Sequence, residues 1–235
     1  MASSDLIPFN ERNRDPRAAC VLLLDTSGSM STDNRIGLLS RGFATFVEEL
    51  NDDPLSRKRV EVAVVTFDSH ATLAVPFREA RDLTAQTFTA SGSTNLAEGI
   101  VLALDQLEAR KAEYKAANVK YFRPWLFVLS DGAANGGINQ SVAIDRLIST
   151  QNIGGVTVFS VGVGNQADLD FLGTLSIDRP AIQLNGLSFG EMFQWLSNSL
   201  ASVSASQAAG ASDESISTLS DTTQVQLSPV GWGHA

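Results

Sequence analysis

The chain has 235 residues, 43% of them hydrophobic and 18% charged, enough for one large α/β domain with a proper core and a modest extension. Its formal net charge of -9 argues against a nucleic-acid binder, which needs a basic face to displace counterions. A single cysteine, Cys20, leaves no intramolecular disulfide and no cysteine-based zinc site.

Met1 to Arg17 is polar, without the apolar core of a leader peptide. No apolar stretch approaches the roughly 20 residues that span a bilayer. The expectation is a cytoplasmic monomer with no membrane or nucleic-acid partner. Cys20 to Leu24 is a nearly pure apolar run ending at Asp25, which reads as a strand buried on both faces in a parallel sheet. Ile36, Leu39, Phe43, Phe46, Val47 and Leu50 then fall on one helical stripe, and Asn51-Asp52-Asp53-Pro54 ends it. Val60 to Phe67 is strand-like, Asp68-Ser69-His70 is a turn, and Thr72 to Val75 returns as an antiparallel edge strand.

The polar loop Ser91 to Asn95 opens a helix with Leu96, Ile100, Leu104 and Leu107 inward. Pro124 to Leu129 is a further strand, followed by Ser130-Asp131-Gly132 and a helix from about Ile138 to Thr150. Val156 to Val163 is β-branched and strand-like. A short helix is expected near Asp168 to Leu175, a brief strand near Ala181 to Leu184, and a last helix from about Ser188 to beyond Leu200. Such alternation means a doubly wound, mostly parallel open α/β sheet with helices on both faces. The expected partition is an N-terminal extension at 1–14, a domain at 15–205 and a Ser/Gly-rich tail at 206–235.

Asp25-Thr26-Ser27-Gly28-Ser29-Met30 follows the first strand, Asp131 follows the fourth, and Thr94 lies just before a helix. In a sheet of order 3-2-1-4-5-6 the first and fourth strands are neighbours, and ligands bind outside their carboxyl ends where the order reverses. The two aspartates are therefore expected to meet. Two carboxylates and three hydroxyls are hard oxygen donors, suited to Mg2+, Mn2+ or Ca2+ rather than zinc. Gly28 would free the backbone so that Ser27 and Ser29 aim the same way.

Together, Asp25-x-Ser27-x-Ser29, Thr94 and Asp131 resemble the complete metal-ion-dependent adhesion site of von Willebrand factor A domains, over roughly Asp15 to Ala205. Leu22 to Met30, Asn51 to Pro54, Val65 to Asp68, Phe193 to Ser197 and Ala201 to Ser204 further resemble the bacterial tellurite-resistance-associated, TerY-like group. The resemblance implies direct coordination by Ser27, Ser29 and Thr94, with Asp25 and Asp131 holding the metal through waters. It also implies a partner protein that offers an Asp or Glu as the last ligand, in a stress or phosphorylation-signalling setting. The loop Gly132 to Gly137 has no acidic residue, which leaves the partner open.

Taken singly, Asp25, Ser27 and Asp131-Gly132 are ordinary corner and turn residues. Their joint placement is what points to a metal. Ser91 and Ser93 are near enough to compete with Thr94, which is preferred for its place at the helix entrance. His70, in a turn, and His234, in the tail, suggest no catalytic base. Trp125 and Trp195 read as core, Trp232 as packing on its own domain, and Arg57-Lys58-Arg59 as a solvated loop. The Ser/Thr-rich stretch Ser202 to Ser228 would offer phosphorylation targets. The enzyme alternative is a haloacid-dehalogenase-type phosphohydrolase. It would need an acid where Ser27 stands, and a lysine partner. The remaining alternative is a scaffold with a vestigial metal site.

Overall fold

Ala18–Asp25 forms the central strand β1, and all eight residues are buried, as a run without alternation requires of a strand covered on both faces. The computed structural model describes residues 9–131, 138–165, 167–184 and 189–205. The glycine-rich loop after Asp131, the helix start at Ser188, and the tail with Trp232 and His234 lie outside the described residues. β2 (Val60–Phe67) pairs parallel with β1 on one side, and β4 (Trp125–Ser130) on the other. β3 (Ala71–Glu79) is antiparallel to β2, while β5 (Thr157–Val163) and β6 (Ile182–Leu184) continue the parallel run. The order is β3-β2-β1-β4-β5-β6, as the alternation of elements predicts.

Residues of β1 alternate between two apolar layers. Cys20, Leu22 and Leu24 face α1 (Arg35–Asp52) and α6 (Phe189–Ala205), where Phe46 and Phe193 meet with ring centroids 5.4 Å apart. Val21 and Leu23 face α3 (Leu96–Ala116) and α4 (Ile138–Asn152). α2 (Ser56–Arg59) and α5 (Leu169–Gly173) are short. Burial pushes the Cys20 thiol up, so it packs as a small apolar group and offers no thiolate. No helix among the described residues is long and apolar enough to cross a membrane.

Two local expectations need correction. The returning strand does not stop at Val75 but runs through Pro76 to Glu79, which an edge strand tolerates because one side of its backbone needs no partner. The basic run Arg57-Lys58-Arg59 is a helical turn rather than a loop, and only its first two side chains are exposed. Arg59 donates to the Ser204 carbonyl at 2.6 Å and lies 3.6 Å from Asp15, tying the last helix to the entry of β1.

Under the amino ends of β1 and β2 lies a charged cluster that the sequence reading does not anticipate. Arg17 Nε sits 3.2 Å from Glu61 Oε1 and Arg17 Nη2 3.2 Å from Glu79 Oε1. Arg110 Nε lies 3.4 Å from Glu61 Oε2, which also accepts from Tyr114 Oη at 2.8 Å. Burial, with Glu61 alongside, pushes the Tyr114 phenol well up, so it remains a donor.

Candidate functional site

At the opposite, carboxyl edge, the parallel pairing of β1 with β4 brings Asp25 beside Ser130 and Asp131. Asp25 is fully buried. Its Oδ1 accepts from the Ser27 amide at 2.9 Å and its Oδ2 from the Ser130 hydroxyl at 2.6 Å. Burial pushes the Asp25 carboxyl above its ordinary range, and the neighbouring Asp131 adds to the rise; the hydrogen bonds from Ser130 and Ser27 act the other way. Asp131 is itself 7% exposed.

After Asp25 the chain enters a 3-10 turn, Gly28–Asn34. Ser27 Oγ and Ser29 Oγ lie 3.0 Å apart, so the two hydroxyls do aim together. Gly28 achieves this differently from the expectation. It is not among the glycines with positive φ; instead its amide donates to the Gly92 carbonyl at 3.1 Å, and a Cβ there would stand 3.2 Å from that oxygen. Gly28 therefore serves close approach of two backbones, not an unusual turn.

The same approach carries Thr94 to the site. Ser91 N donates to Thr26 O at 2.8 Å, and Asn95 N to Asp68 O at 2.6 Å, so both ends of this loop are tied to strand exits. Asn95 caps α3 by accepting from Glu98 N at 3.3 Å. Ser91 and Ser93 turn to the β2–β3 corner, with Ser91 Oγ donating to Asp68 Oδ2 at 3.2 Å and Ser93 Oγ 3.3 Å from Ser69 Oγ. Thr94, 7% exposed, makes no side-chain hydrogen bond to another described residue.

The five sequence-selected residues thus lie on three segments tied to one another by backbone hydrogen bonds and strand pairing at the carboxyl edge of the sheet. Two residues were missed there. Ser130 stands in the sequence only as the residue before Asp131, and Arg35 precedes the apolar stripe without being singled out; in the structure Ser130 donates to Asp25, and Arg35 Nη1 lies 3.8 Å from Asp131 Oδ2. Among the described residues the Asp25 and Asp131 carboxylates stand with the Arg35 guanidinium and neutral hydroxyls. The hard oxygens of such a set suit a small divalent cation. Among the described residues no group of three or more His, Cys, Asp or Glu could hold a metal, so a site here depends on the hydroxyls. His70, with a side chain 84% exposed, stands at the β2–β3 corner 3.8 Å from Glu98.

A family model, von Willebrand factor type A domain, matches residues 20–188. The uncharacterised protein YfbK of Escherichia coli (strain K12) is 30% identical over 167 residues, covering 68% of this chain and 27% of that protein. Among solved structures, a von Willebrand factor type A protein from Catenulispora acidiphila aligns with a TM-score of 0.57 at 17% identity, covering 79% of this chain and 43% of that one. Proximal thread matrix protein 1 of the mussel byssus aligns at 0.54 and 20% identity, covering 80% and 49%. The pilus adhesin SpaC of Lactobacillus rhamnosus GG aligns at 0.58 and 14% identity, covering 80% and 31%. The chain spans about a quarter of the curated relative and less than half of these structures' chains. At these identities the structural matches speak to the fold alone.

Proposed function

This chain belongs to the von Willebrand factor type A domain family, which often mediates protein–protein interaction, and from that premise we propose that it is a metal-dependent binding module. Asp25, Ser27, Ser29, Thr94 and Asp131 hold one divalent cation, Mg2+ in the first instance. The cation, once bound, offers a coordination position to an Asp or Glu side chain of a partner protein. One observation carries the reading. A fully buried carboxylate, a second one beside it and a pair of hydroxyls 3.0 Å apart converge at the strand-order reversal, with the Arg35 guanidinium 3.8 Å from the second carboxylate.

Each chain element has a definable part. Ser130 and the Ser27 amide orient Asp25, leaving its remaining lone pairs for metal-bound water. The Gly28–Gly92 backbone bond holds the Ser27–Ser29 turn against the loop of Thr94. Magnesium keeps several waters and near-octahedral geometry, which suits hydroxyl ligands and water-bridged carboxylates.

A binding role is favoured over phosphoester hydrolysis on two grounds. Ser27 stands where that chemistry needs an acid. The four lysines, Lys58, Lys111, Lys115 and Lys120, sit on α2, on α3 and just after it, and the Lys58 and Lys120 carbonyls accept from Arg17 at the far end of β1. The finer assignment, to a TerY-like role in a bacterial stress or phosphorylation-signalling system, is supported by the motif resemblance.

The test is affinity capture from the native cell with immobilised wild type and Thr94→Ala, in Mg2+ and in EDTA. The reading predicts a partner retained only by wild type with Mg2+, and lost when one acidic residue of that partner is replaced. Identical retention in EDTA would refute it.

A further inference from the structure

Arg35 opens α1, where a positive charge opposes the helix dipole and an acid would suit the helix better. It follows Asp33 (φ 52°) and Asn34 (φ 56°), two consecutive non-glycine residues in the left-handed region, which Asp and Asn adopt more readily than other side chains. Neither feature serves the helix. Together they place the Arg35 guanidinium at the candidate metal site, with Nη1 3.8 Å from Asp131 Oδ2 and the side chain 15% exposed.

The far side of that guanidinium rests on Gly164, at the exit of β5. Gly164 has φ +83°, and a Cβ there would lie 2.7 Å from Arg35 Nη2. The chain thus leaves room for Arg35 where a side chain would evict it. Yet the guanidinium makes no side-chain hydrogen bond within the described fold, and its Nε is buried without a partner. Its other ion contact, at 4.0 Å, is with Asp33, whose carboxylate is 71% exposed and screened by water. A planar fork of donors is thereby left underused beside the proposed carboxylate-binding site.

Resting on that metal-binding reading, we propose that Arg35 determines the specificity of the site: it weakens cation binding and supplies a second anchor for the incoming carboxylate, selecting Asp or Glu over neutral oxygen ligands. The charge arithmetic gives both halves. Asp25 and Asp131 balance a divalent cation, and Arg35 then leaves the loaded site net positive. Like charge opposes entry of the cation, while cation and guanidinium together attract an anion. The fork adds charge-assisted hydrogen bonds that a carboxylate accepts and that a carboxamide, with one oxygen and no charge, accepts poorly.

Arg35→Ala and Arg35→Lys, compared with wild type, separate these effects. Mn2+ binding is followed by electron paramagnetic resonance, and acetate or acetamide is then titrated into the loaded proteins by water-proton relaxation. Arg35→Ala should bind Mn2+ about threefold tighter and acetate about fivefold weaker, with acetamide unchanged. Arg35→Lys should keep wild-type Mn2+ affinity with acetate affinity between the two. Thermal unfolding in EDTA checks folding: Arg35→Ala should still unfold cooperatively, at a midpoint below wild type because Asp131 loses its guanidinium, and the binding titrations are made well below that midpoint. Unchanged Mn2+ and acetate affinities in Arg35→Ala would overturn the proposal alone. Failure of wild type to bind Mn2+ would overturn the metal reading and this proposal with it.

Discussion

The two ends of β1 both gather charge, but they treat it in opposite ways. At the amino end, Arg17, Glu61, Glu79, Arg110 and Tyr114 are buried and answer one another, with Arg17 also donating to the Lys58 and Asn13 carbonyls at 2.6 and 3.0 Å. At the carboxyl end, Asp25 is held by Ser130 and the Ser27 amide with no ion pair among the described residues, Arg35 stands 3.8 Å from Asp131, and the Thr94 side chain makes no hydrogen bond to another described residue. Buried charge answered by opposite charge serves the fold; a buried carboxylate held by hydrogen bonds alone, as Asp25 is among the described residues, can also take a ligand. The contrast separates two polar clusters that a list of buried residues would treat alike.

Breaking the amino-end cluster should have the largest effect. Glu61→Ala leaves Arg17 and Arg110 buried without their shared carboxylate, at a cost of about 3–5 kcal/mol. The thermal midpoint should fall by roughly 10 °C, equally in Mg2+ and in EDTA. A Mg2+-dependent loss would mean that the two ends are coupled and that the contrast is drawn too sharply.

Asp25→Asn sharpens the other side. The asparagine retains the shape and mimics the protonated acid. Because the folded-state Asp25 carboxyl lies above its unfolded value, its contribution to metal-free stability is present at acid pH and is lost as pH rises through the folded value. In EDTA the variant should therefore be more stable than wild type at neutral pH. That gap should narrow as pH falls and close below the ordinary aspartate range. Thermal unfolding followed from neutral pH down through the ordinary aspartate range reads this directly. A gap that widens toward acid pH would contradict the burial argument.

The fold was legible because the apolar runs of β1, β2, β4 and β5 have strand length and the helices between them carry stripes. Topology then placed Asp25 beside Asp131 without knowledge of any contact. Arg35 was not legible. Its route to the site depends on left-handed backbone at Asp33 and Asn34, residues that tolerate that region without advertising it. The amino-end cluster was hidden for another reason: its members lie on four separate segments, and each alone looks like an ordinary surface charge. Arg59 misled in the same manner, since its partner Ser204 is at the other end of the domain.

The smallest expected effect tests the choice among neighbouring hydroxyls. Ser93→Ala removes a contact with Ser69 and should change stability by no more than about 0.5 kcal/mol, leaving any Mg2+ response intact. Thr94→Ala should diminish that response, and Thr94→Ser should retain it. The reverse pattern would move the ligand from Thr94 to Ser93.

The central claim is tested most directly by thermal unfolding of wild type and Asp25→Ala, each in EDTA and then in millimolar Mg2+ or Mn2+. A cation at ten times its dissociation constant adds about 1.4 kcal/mol, or roughly 3–6 °C for a domain of this size. The account predicts that shift in wild type and none in Asp25→Ala. No shift in wild type, or the same shift in both proteins, would contradict it.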